Sequence, residues 1–411
     1  MSFCHVRIHP VRLISTLPFS DPNKYHDRAR ITLCMMRVTM AISRVLITGG
    51  AGFIGSHLAD ELLDRGYTVR VLDSLIPQVH GADRKRPSYL DPEVELIKGD
   101  VRDPDALHRA LQGIDAVYHF AARVGVGQSM YEVAEYCSIN SLGTSMLLEA
   151  LIANPVQKLV VASSMSVYGE GLYRDKQEQV HEHVQRTPEQ LARGDWEPRG
   201  VGGAELTPVP TPETKAPTLA SIYALTKYDQ ERMCLLIGAA YQIPTVALRF
   251  FNVYGPRQAL SNPYTGVLAI FAARYLNGKP PLIFEDGRQR RDFVHVRDVA
   301  AGCRLALEVP GAAGGVFNLA SGEALTIGAI ADWMAEALGT RIAPQLTGQH
   351  RIGDIRHCLA DIGLARRVLG YQPRIDLAAG LTELAGWLST QTAVDQVETM
   401  HVELAERGLA R

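Results

Sequence analysis

Short apolar runs separated by amphipathic stretches set the plan of this chain. Val45–Thr48, Thr68–Leu72, Val94–Ile97, Ala116–Phe120, Gln157–Ser163 and Thr245–Phe251 are such runs. Strands apolar on both faces belong to sheets covered on both sides. Between them, Ile54, Leu58 and Leu62 recur at i, i+4 and i+8, the stripe of one helical face. Further helices are expected near Pro104–Leu111, Met130–Ala153 and Ser221–Ala240. Strand and helix in alternation predict an α/β fold with a doubly wound parallel sheet. Beyond residue 255 the pattern is mixed. Short strands (Leu282–Phe284, Phe317–Leu319) stand between helices (Val267–Leu276, Asp298–Leu307, Ile327–Leu338), which predicts a smaller mixed α/β C-terminal lobe.

Four segments follow. Residues 1–40 carry six basic side chains against Asp21 and Asp27, lack a continuous apolar stretch, and read as a non-core N-terminal extension. Residues 41–255 form the sheet domain. They contain an insertion, 170–217, rich in Pro and Gly, which reads as an irregular surface loop with a short helix near Glu189–Arg193. Residues 256–390 form mainly the second lobe, and 391–411 an exposed helical tail of little structural weight.

Composition narrows the chemistry. In 411 residues, 42 Lys and Arg face 44 Asp and Glu, a formal charge of −2 that leaves no basic footprint for nucleic acid. No apolar run is long enough to span a membrane. The cysteines (Cys4, Cys34, Cys137, Cys234, Cys303, Cys358) stand singly, with no paired spacing. That implies reduced thiols in a cytoplasmic protein and no metal site.

Thr48-Gly49-Gly50-Ala51-Gly52-Phe53-Ile54-Gly55 joins the first strand to the first helix. Gly49, Gly52 and Gly55 allow a tight turn, close approach of a pyrophosphate and close helix packing. Asp73 ends the second strand, 18 residues beyond Gly55, where a carboxylate accepts both ribose hydroxyls of NAD and repels a 2′-phosphate. This makes the sheet domain Rossmann-type. Asp100 and Val101 follow the third strand, and Ala121 and Ala122 the fourth, all at the edge where a dinucleotide binds.

Tyr223 and Lys227 lie four apart at the start of a helix, on one face. An ammonium beside a phenol favours the phenolate, which turns a weak base into a usable one. Ser163-Ser164-Met165-Ser166-Val167-Tyr168-Gly169 follows the fifth strand and offers a hydroxyl to the same substrate oxygen.

With Arg249-Phe250-Phe251-Asn252-Val253-Tyr254-Gly255-Pro256 and Arg291-Asp292-Phe293-Val294-His295-Val296, these motifs resemble the extended short-chain dehydrogenase/reductases, in the NAD-dependent nucleotide-sugar epimerase/dehydratase group, from about Arg44 to Trp387. The resemblance implies Ser164, Tyr223 and Lys227 as the catalytic set. It implies Asn140 and Phe251 beside NAD, Ser166 with the substrate, and Asn252, Arg291 and Arg356 on its diphosphate. His295 is expected to be structural. It also implies a homodimer through the helices near Met130–Ala153 and Ser221–Ala240.

Dehydratases of the group carry Asp-Glu after the catalytic Ser/Thr, and related decarboxylases a Glu. Met165-Ser166 stands here instead and supplies no carboxylate chemistry. C4 epimerisation of a nucleotide-diphosphate sugar is left. Ser164 and Tyr223 are 59 residues apart, further than the family pattern sets them, and the excess is the 170–217 insertion, a candidate lid. Together with Arg257-Gln258-Ala259-Leu260-Ser261-Asn262-Pro263-Tyr264 it resembles the branch acting on dTDP-L-rhamnose. Met165 would then suit a 6-deoxy methyl group. UDP-glucose or UDP-uronate epimerisation, 4-keto reduction and a non-catalytic NAD sensor stay open.

Overall fold

The computed structural model describes residues 41–411, so the extension 1–40 lies outside the described residues. Along the chain run β1 (Arg44–Thr48), α1 (Phe53–Leu63), β2 (Thr68–Asp73), β3 (Glu95–Lys98), α2 (Pro104–Leu111), β4 (Ala116–His119), α3 (Gly143–Ala153) and β5 (Lys158–Ser164). After a region holding β6 (Leu172–Arg174), β7 (Val180–His181) and β8 (Thr207–Thr211) come α4 (Ile222–Tyr241), β9 (Thr245–Phe250) and β10 (Asn252–Tyr254). Then follow α5 (Val267–Leu276), β11 (Leu282–Ile283), β12 (Arg290–His295), α6 (Val296–Glu308), β13 (Val316–Leu319), β14 (Ala324–Thr326) and α7 (Ile327–Ala337). The chain closes with β15 (Gln345–Leu346), β16 (His357–Ala360), α8 (Gly363–Leu369), α9 (Leu377–Leu388) and α10 (Val397–Glu406).

Seven strands form one wholly parallel sheet in the order β13-β9-β5-β4-β1-β2-β3. Alternate residues feed opposite faces. Val45 and Ile47 pack with Leu58 and Leu62 of α1 and Val299 and Cys303 of α6. Leu46 packs with Leu107 of α2 and Leu147 of α3. The order reverses between β1 and β4, which opens a crevice at the carboxyl ends of these strands. Among the described residues no helix is long and apolar enough to cross a membrane.

A second, mixed sheet has the order β10-β12-β16-β8-β6-β7, with β14 against β12. Here the structure departs from expectation. The 170–217 segment is no irregular surface loop: it supplies β6, β7 and β8, and β8 pairs with β16 in parallel (Leu359 opposite Pro210). Its prolines fit because Pro208 and Pro210 alternate with residues that keep their N–H groups. The short helix appears at Pro188–Ala192, capped by Thr187. A cut at 255 also misses the packing. β13 completes the parallel sheet and α6 covers it, while the insertion joins the other sheet, and Ile42–Arg411 is one unit.

Two further corrections concern helices. The stretch Met130–Ala153 is not one helix: Val133–Tyr136 leads into a widened π turn, Cys137–Leu142, before α3. The extra residue per turn swings Asn140 inward, where it is fully buried. The 391–411 tail is not a loosely exposed helix, since Val397, Met400 and Leu404 of α10 are buried against Tyr264 and Phe284.

Candidate active site

A cavity of about 480 Å³ occupies the crevice at the edge of the parallel sheet. Gly49 turns there with φ +72°, and a Cβ on it would stand 2.8 Å from the Ala121 nitrogen. A Cβ on Gly55 would stand 2.6 Å from the Gly50 Cα. Larger residues at either place would push the loop from the strand or α1 from the loop. Gly52 caps α1 without a side-chain acceptor, so the first N–H groups of the helix are free for an anion. Phe53, Ile54, Asp73, Asp100, Val101, Ala121, Ala122 and Phe251 complete this side.

Both oxygens of Asp73 are oriented by backbone: Ala51 N–H donates to Oδ2 at 3.0 Å and Leu75 N–H to Oδ1 at 2.8 Å. Burial raises its pKa and lowers that of His80, whose Nε2 lies 3.7 Å away. His80 lines the same cavity and was not foreseen from sequence. The Asp100 carboxylate is held by Arg102 in a two-point contact of 2.9 and 2.7 Å, which lowers its pKa. It borders the cavity with its oxygens already engaged.

Ser221 caps α4 through Ala224 N–H at 3.1 Å, which places Tyr223 in the first turn and Lys227 in the next. Ser164, Tyr223 and Lys227 converge on the cavity wall. Ser164 Oγ accepts from Ser166 N–H at 3.2 Å and from Ser166 Oγ at 2.9 Å. With its lone pairs so used, its own proton is directed outward as a donor. Below the site Arg249 pairs with Glu231 at 2.7 Å, and Glu231 accepts from Ser163 Oγ at 2.7 Å, locking α4 against β5.

The expected phenolate meets a correction. Burial pushes the Tyr223 pKa up, and the hydrogen bond from Ser164 only partly opposes it. Lys227 is itself desolvated, its pKa lowered to about 8. Its Nζ donates to Gln230 Oε1 at 2.7 Å. The Gln230 amide nitrogen donates to Thr144 Oγ1 at 2.8 Å and to the Ala121 carbonyl at 3.3 Å. So Lys227 is tied through one neutral side chain to the loop after β4. Gln230, one turn past Lys227, was missed, although its i+3 spacing was available as a signal.

Asn140 does not reach the cavity. It accepts from Arg123 N–H at 2.7 Å and donates to Thr226 Oγ1 at 2.9 Å, fastening the β4 loop to α4. Its part is positional, and the π turn is what carries it there.

A second cavity, about 280 Å³, opens from the first, and Met165, Ser166, Asn252 and Tyr264 line both. Asn252 Oδ1 is buried without a partner. Arg291 lines the second cavity while donating to the carbonyls of Arg290, Arg356 and Ile355. Arg356 overturns its expectation. It is fully buried, lines neither cavity, and meets Glu197 at 2.6 Å, Asp286 at 2.6 Å and Glu285, a residue of the second cavity's wall, at 2.8 Å, so its charge is consumed by carboxylates. Arg351 and Asp354, in the same stretch, do line the second cavity. Sequence spacing could not separate these neighbours, because residues 351–356 are turn and bend ahead of β16 and have no regular period to say which side chains face the cavity. His295 lies outside both cavities, its Nδ1 accepting from Arg297 N–H at 3.3 Å at the start of α6.

Known proteins resemble this chain in sequence and fold. The description "NAD dependent epimerase/dehydratase family" matches residues 45–189 and 202–320. A dTDP-L-rhamnose 4-epimerase of Burkholderia thailandensis is 34% identical over 352 residues, covering 85% of this chain and 95% of that protein. The UDP-glucose 4-epimerase of Thermus thermophilus, solved with NAD, superposes with a TM-score of 0.68 at 31% identity, over 85% of this chain and 100% of that one. The UDP-glucuronic acid 4-epimerase of Bacillus cereus, solved with UDP-glucuronic acid and NAD, gives 0.69 at 29% identity, over 84% and 99%. The uncapped glycine turn, the Ser-Tyr-Lys set and the extent of these matches have one meaning: the chain belongs to the NAD-dependent epimerase/dehydratase family.

Proposed function

We propose that this chain is a nucleotide-sugar 4-epimerase whose substrate is dTDP-L-rhamnose, with dTDP-6-deoxy-L-talose as product. The observation that carries the reaction is the convergence of Ser164, Tyr223 and Lys227 on the wall of the first cavity, next to Met165 and Ser166, which line both cavities. The first cavity suits NAD: the α1 N-terminus takes the pyrophosphate, Asp73 the ribose hydroxyls, and Tyr223 and Lys227 the nicotinamide end. NAD supplies reversible two-electron chemistry at C4 of the sugar. Tyr223 takes the proton of the C4 hydroxyl and returns it, while the Ser164 hydroxyl holds the same oxygen. Lys227, with a pKa lowered to about 8, is the cation on the same helical face that would favour the phenolate against burial. Between the two half-reactions the 4-keto sugar presents its other face.

The sugar assignment rests on the junction. Residues lining both cavities there include the apolar Met165 and carry neither a carboxylate nor a basic side chain. Elimination of water needs the first, and a uronate carboxylate calls for the second. A neutral 6-deoxy sugar needs neither. NMR of dTDP-L-rhamnose with catalytic enzyme and trace NAD should show the C4 epimer without net reduction. Tyr223→Phe should lower kcat by roughly a thousandfold, within what loss of an acid/base group brings, while NAD stays bound. Turnover of UDP-glucose alone would move the substrate, and full activity in Tyr223→Phe would sink the mechanism.

The assembly we propose is a homodimer. Leu225 and Leu236 on α4 and Leu142 before α3 are 46%, 59% and 51% exposed, an apolar stripe for a second copy.

A further inference from the structure

Tyr223 is held from outside its own helix. Ser221 caps α4, and its side chain and carbonyl take the N–H groups of Ala224 and Leu225. The Tyr223 N–H goes elsewhere. It donates to Ser129 Oγ at 3.0 Å, across 94 positions of sequence. Ser129 is fully buried. Its own proton is used on the Val126 carbonyl at 2.7 Å, so toward Tyr223 its oxygen accepts. The first N–H groups of a helix need partners from outside, and one capping side chain commonly serves. Here a second serine serves as well, and it meets the residue that carries the proposed acid/base hydroxyl.

The segment that carries Ser129 also touches the Tyr223 ring. Ser129 closes the one-turn helix Val126–Ser129, and Tyr136 closes the next, Val133–Tyr136. The rings of Tyr136 and Tyr223 meet edge to face, with centroids 6.5 Å apart and planes at 85°. Tyr136 is fully buried, and its hydroxyl donates to the carbonyls of Val124 at 2.8 Å and Gly125 at 3.0 Å. That ties the ring to the loop ahead of Ser129. The loop is itself cavity wall: Val124 and Gly125 line the first cavity, Gly127 the second and Val126 both. Backbone and ring of Tyr223 are therefore fixed from one short segment, and the same segment faces both cavities.

We infer that Ser129 is a positioning residue for the reaction: it sets Tyr223 against the loop 124–127, so that the phenol is aimed before the sugar arrives. This rests on the reading of Tyr223 as the acid/base. Ser129 lines neither cavity and transfers no proton. It acts through the Tyr223 backbone. Displacing a reacting group by about 1 Å costs up to ~100-fold in rate, so a single hydrogen bond at this place is felt in kcat.

A double-substitution cycle on the full NAD-loaded chain tests it, with C4 epimerisation of dTDP-L-rhamnose and of UDP-glucose followed by NMR. Ser129→Ala should lower kcat about tenfold, with KM and bound NAD within about twofold of the unaltered chain. Ser129→Cys keeps a weaker acceptor at similar size and should lose about threefold. It decides alone should Ser129→Ala not fold. In a chain already carrying Tyr223→Phe, either Ser129 substitution should lower the residual rate by less than about twofold, because no phenol is left to aim. Equal losses with and without the Tyr223 hydroxyl would mark a general structural role and overturn the inference. Unchanged kcat in the Ser129 variants would overturn it too and leave the mechanism standing. Full activity in Tyr223→Phe, or no turnover of either sugar by the unaltered chain, would overturn the mechanism and the inference together.

Discussion

Gly49, Asp73, Asp100 and Ala121 reach the first cavity from the ends of β1, β2, β3 and β4, each within a few residues of its strand. The second cavity draws Ser166, Asn252, Phe284, Arg291, Arg351 and Met400 from segments scattered over more than 230 residues of the chain. The first is set by local geometry: a strand, a turn and a helix fix each residue, and the parallel sheet holds the turns in line. The second exists only when distant pieces are clamped together, and buried charge supplies much of the clamp. Arg356 joins Glu197 of the insertion to Glu285 and Asp286, and Arg186 of the insertion meets Glu285 at 2.6 Å and Glu170 at 3.5 Å. The first cavity should therefore tolerate distant change better than the second.

Arg356→Leu would break that contrast most sharply. It leaves Glu285 buried and Glu197 and Asp286 facing one another without their cation. Removing one partner of a buried ion pair costs about 3–5 kcal/mol. The effect should fall on the second half: a higher KM for the nucleotide sugar and proteolysis within 170–217, with NAD content unchanged. Loss of NAD to the same extent would show the two halves to be one cooperative unit.

The same contrast explains what could be read from sequence. The glycine turn, Asp73 and the Tyr223–Lys227 pair were legible because local spacing builds them. Arg356 was misplaced because its environment comes from Glu197, 159 residues earlier in the chain. The insertion was misread because its partner strand, β16, comes long after it. Tail residues such as Met400 showed no signal either, since α10 owes its burial to Tyr264 and Phe284. Asn140 sits between these cases: its presence was legible, but the π turn that aims it at Arg123 and Thr226 was not.

Gln230 sharpens the comparison within the first half. It is the residue through which Lys227 feels the β4 loop. Gln230→Glu keeps the size and the acceptor but places a negative charge on the ammonium, which would raise the Lys227 pKa and cancel its pull on Tyr223. The acid limb of the kcat profile should move up by about one pH unit, equal to about 1.4 kcal/mol. Gln230→Leu should lower kcat roughly tenfold with KM little changed, because the second cavity is untouched. A purely structural role would lower stability in both variants and leave the pH limb in place.

A further difference should appear on acidification. His119 is fully buried and its pKa is lowered to about 3 by desolvation and then by the charge of Lys227. The unfolded chain binds that proton near pH 6.5, so between these values it holds more protons than the folded chain. Stability present above pH 6.5 is therefore lost as pH falls toward 3, at about 1.4 kcal/mol per pH unit. His57, lowered to about 4 chiefly by burial, adds to the same slope. In the second half, the His357 hydrogen bond and then Arg356 lower the Glu197 pKa to about 2. Its contribution is whole above pH 4.5 and is lost only from there down. The Glu197 side chain is 43% exposed, so solvent screening makes that loss the smaller one. Asp292, raised to about 6 by burial, works the other way, favouring the folded state as pH falls from 6 toward 3.8. Urea unfolding between pH 7.5 and 3 separates these groups by variant. His119→Gln should flatten the slope between pH 6.5 and 4, and Glu197→Gln only the part below 4.5. Equal flattening by both over the same range would mean that acid acts on the two halves through one shared group, and the contrast between locally built and clamped cavities would not extend to their electrostatics.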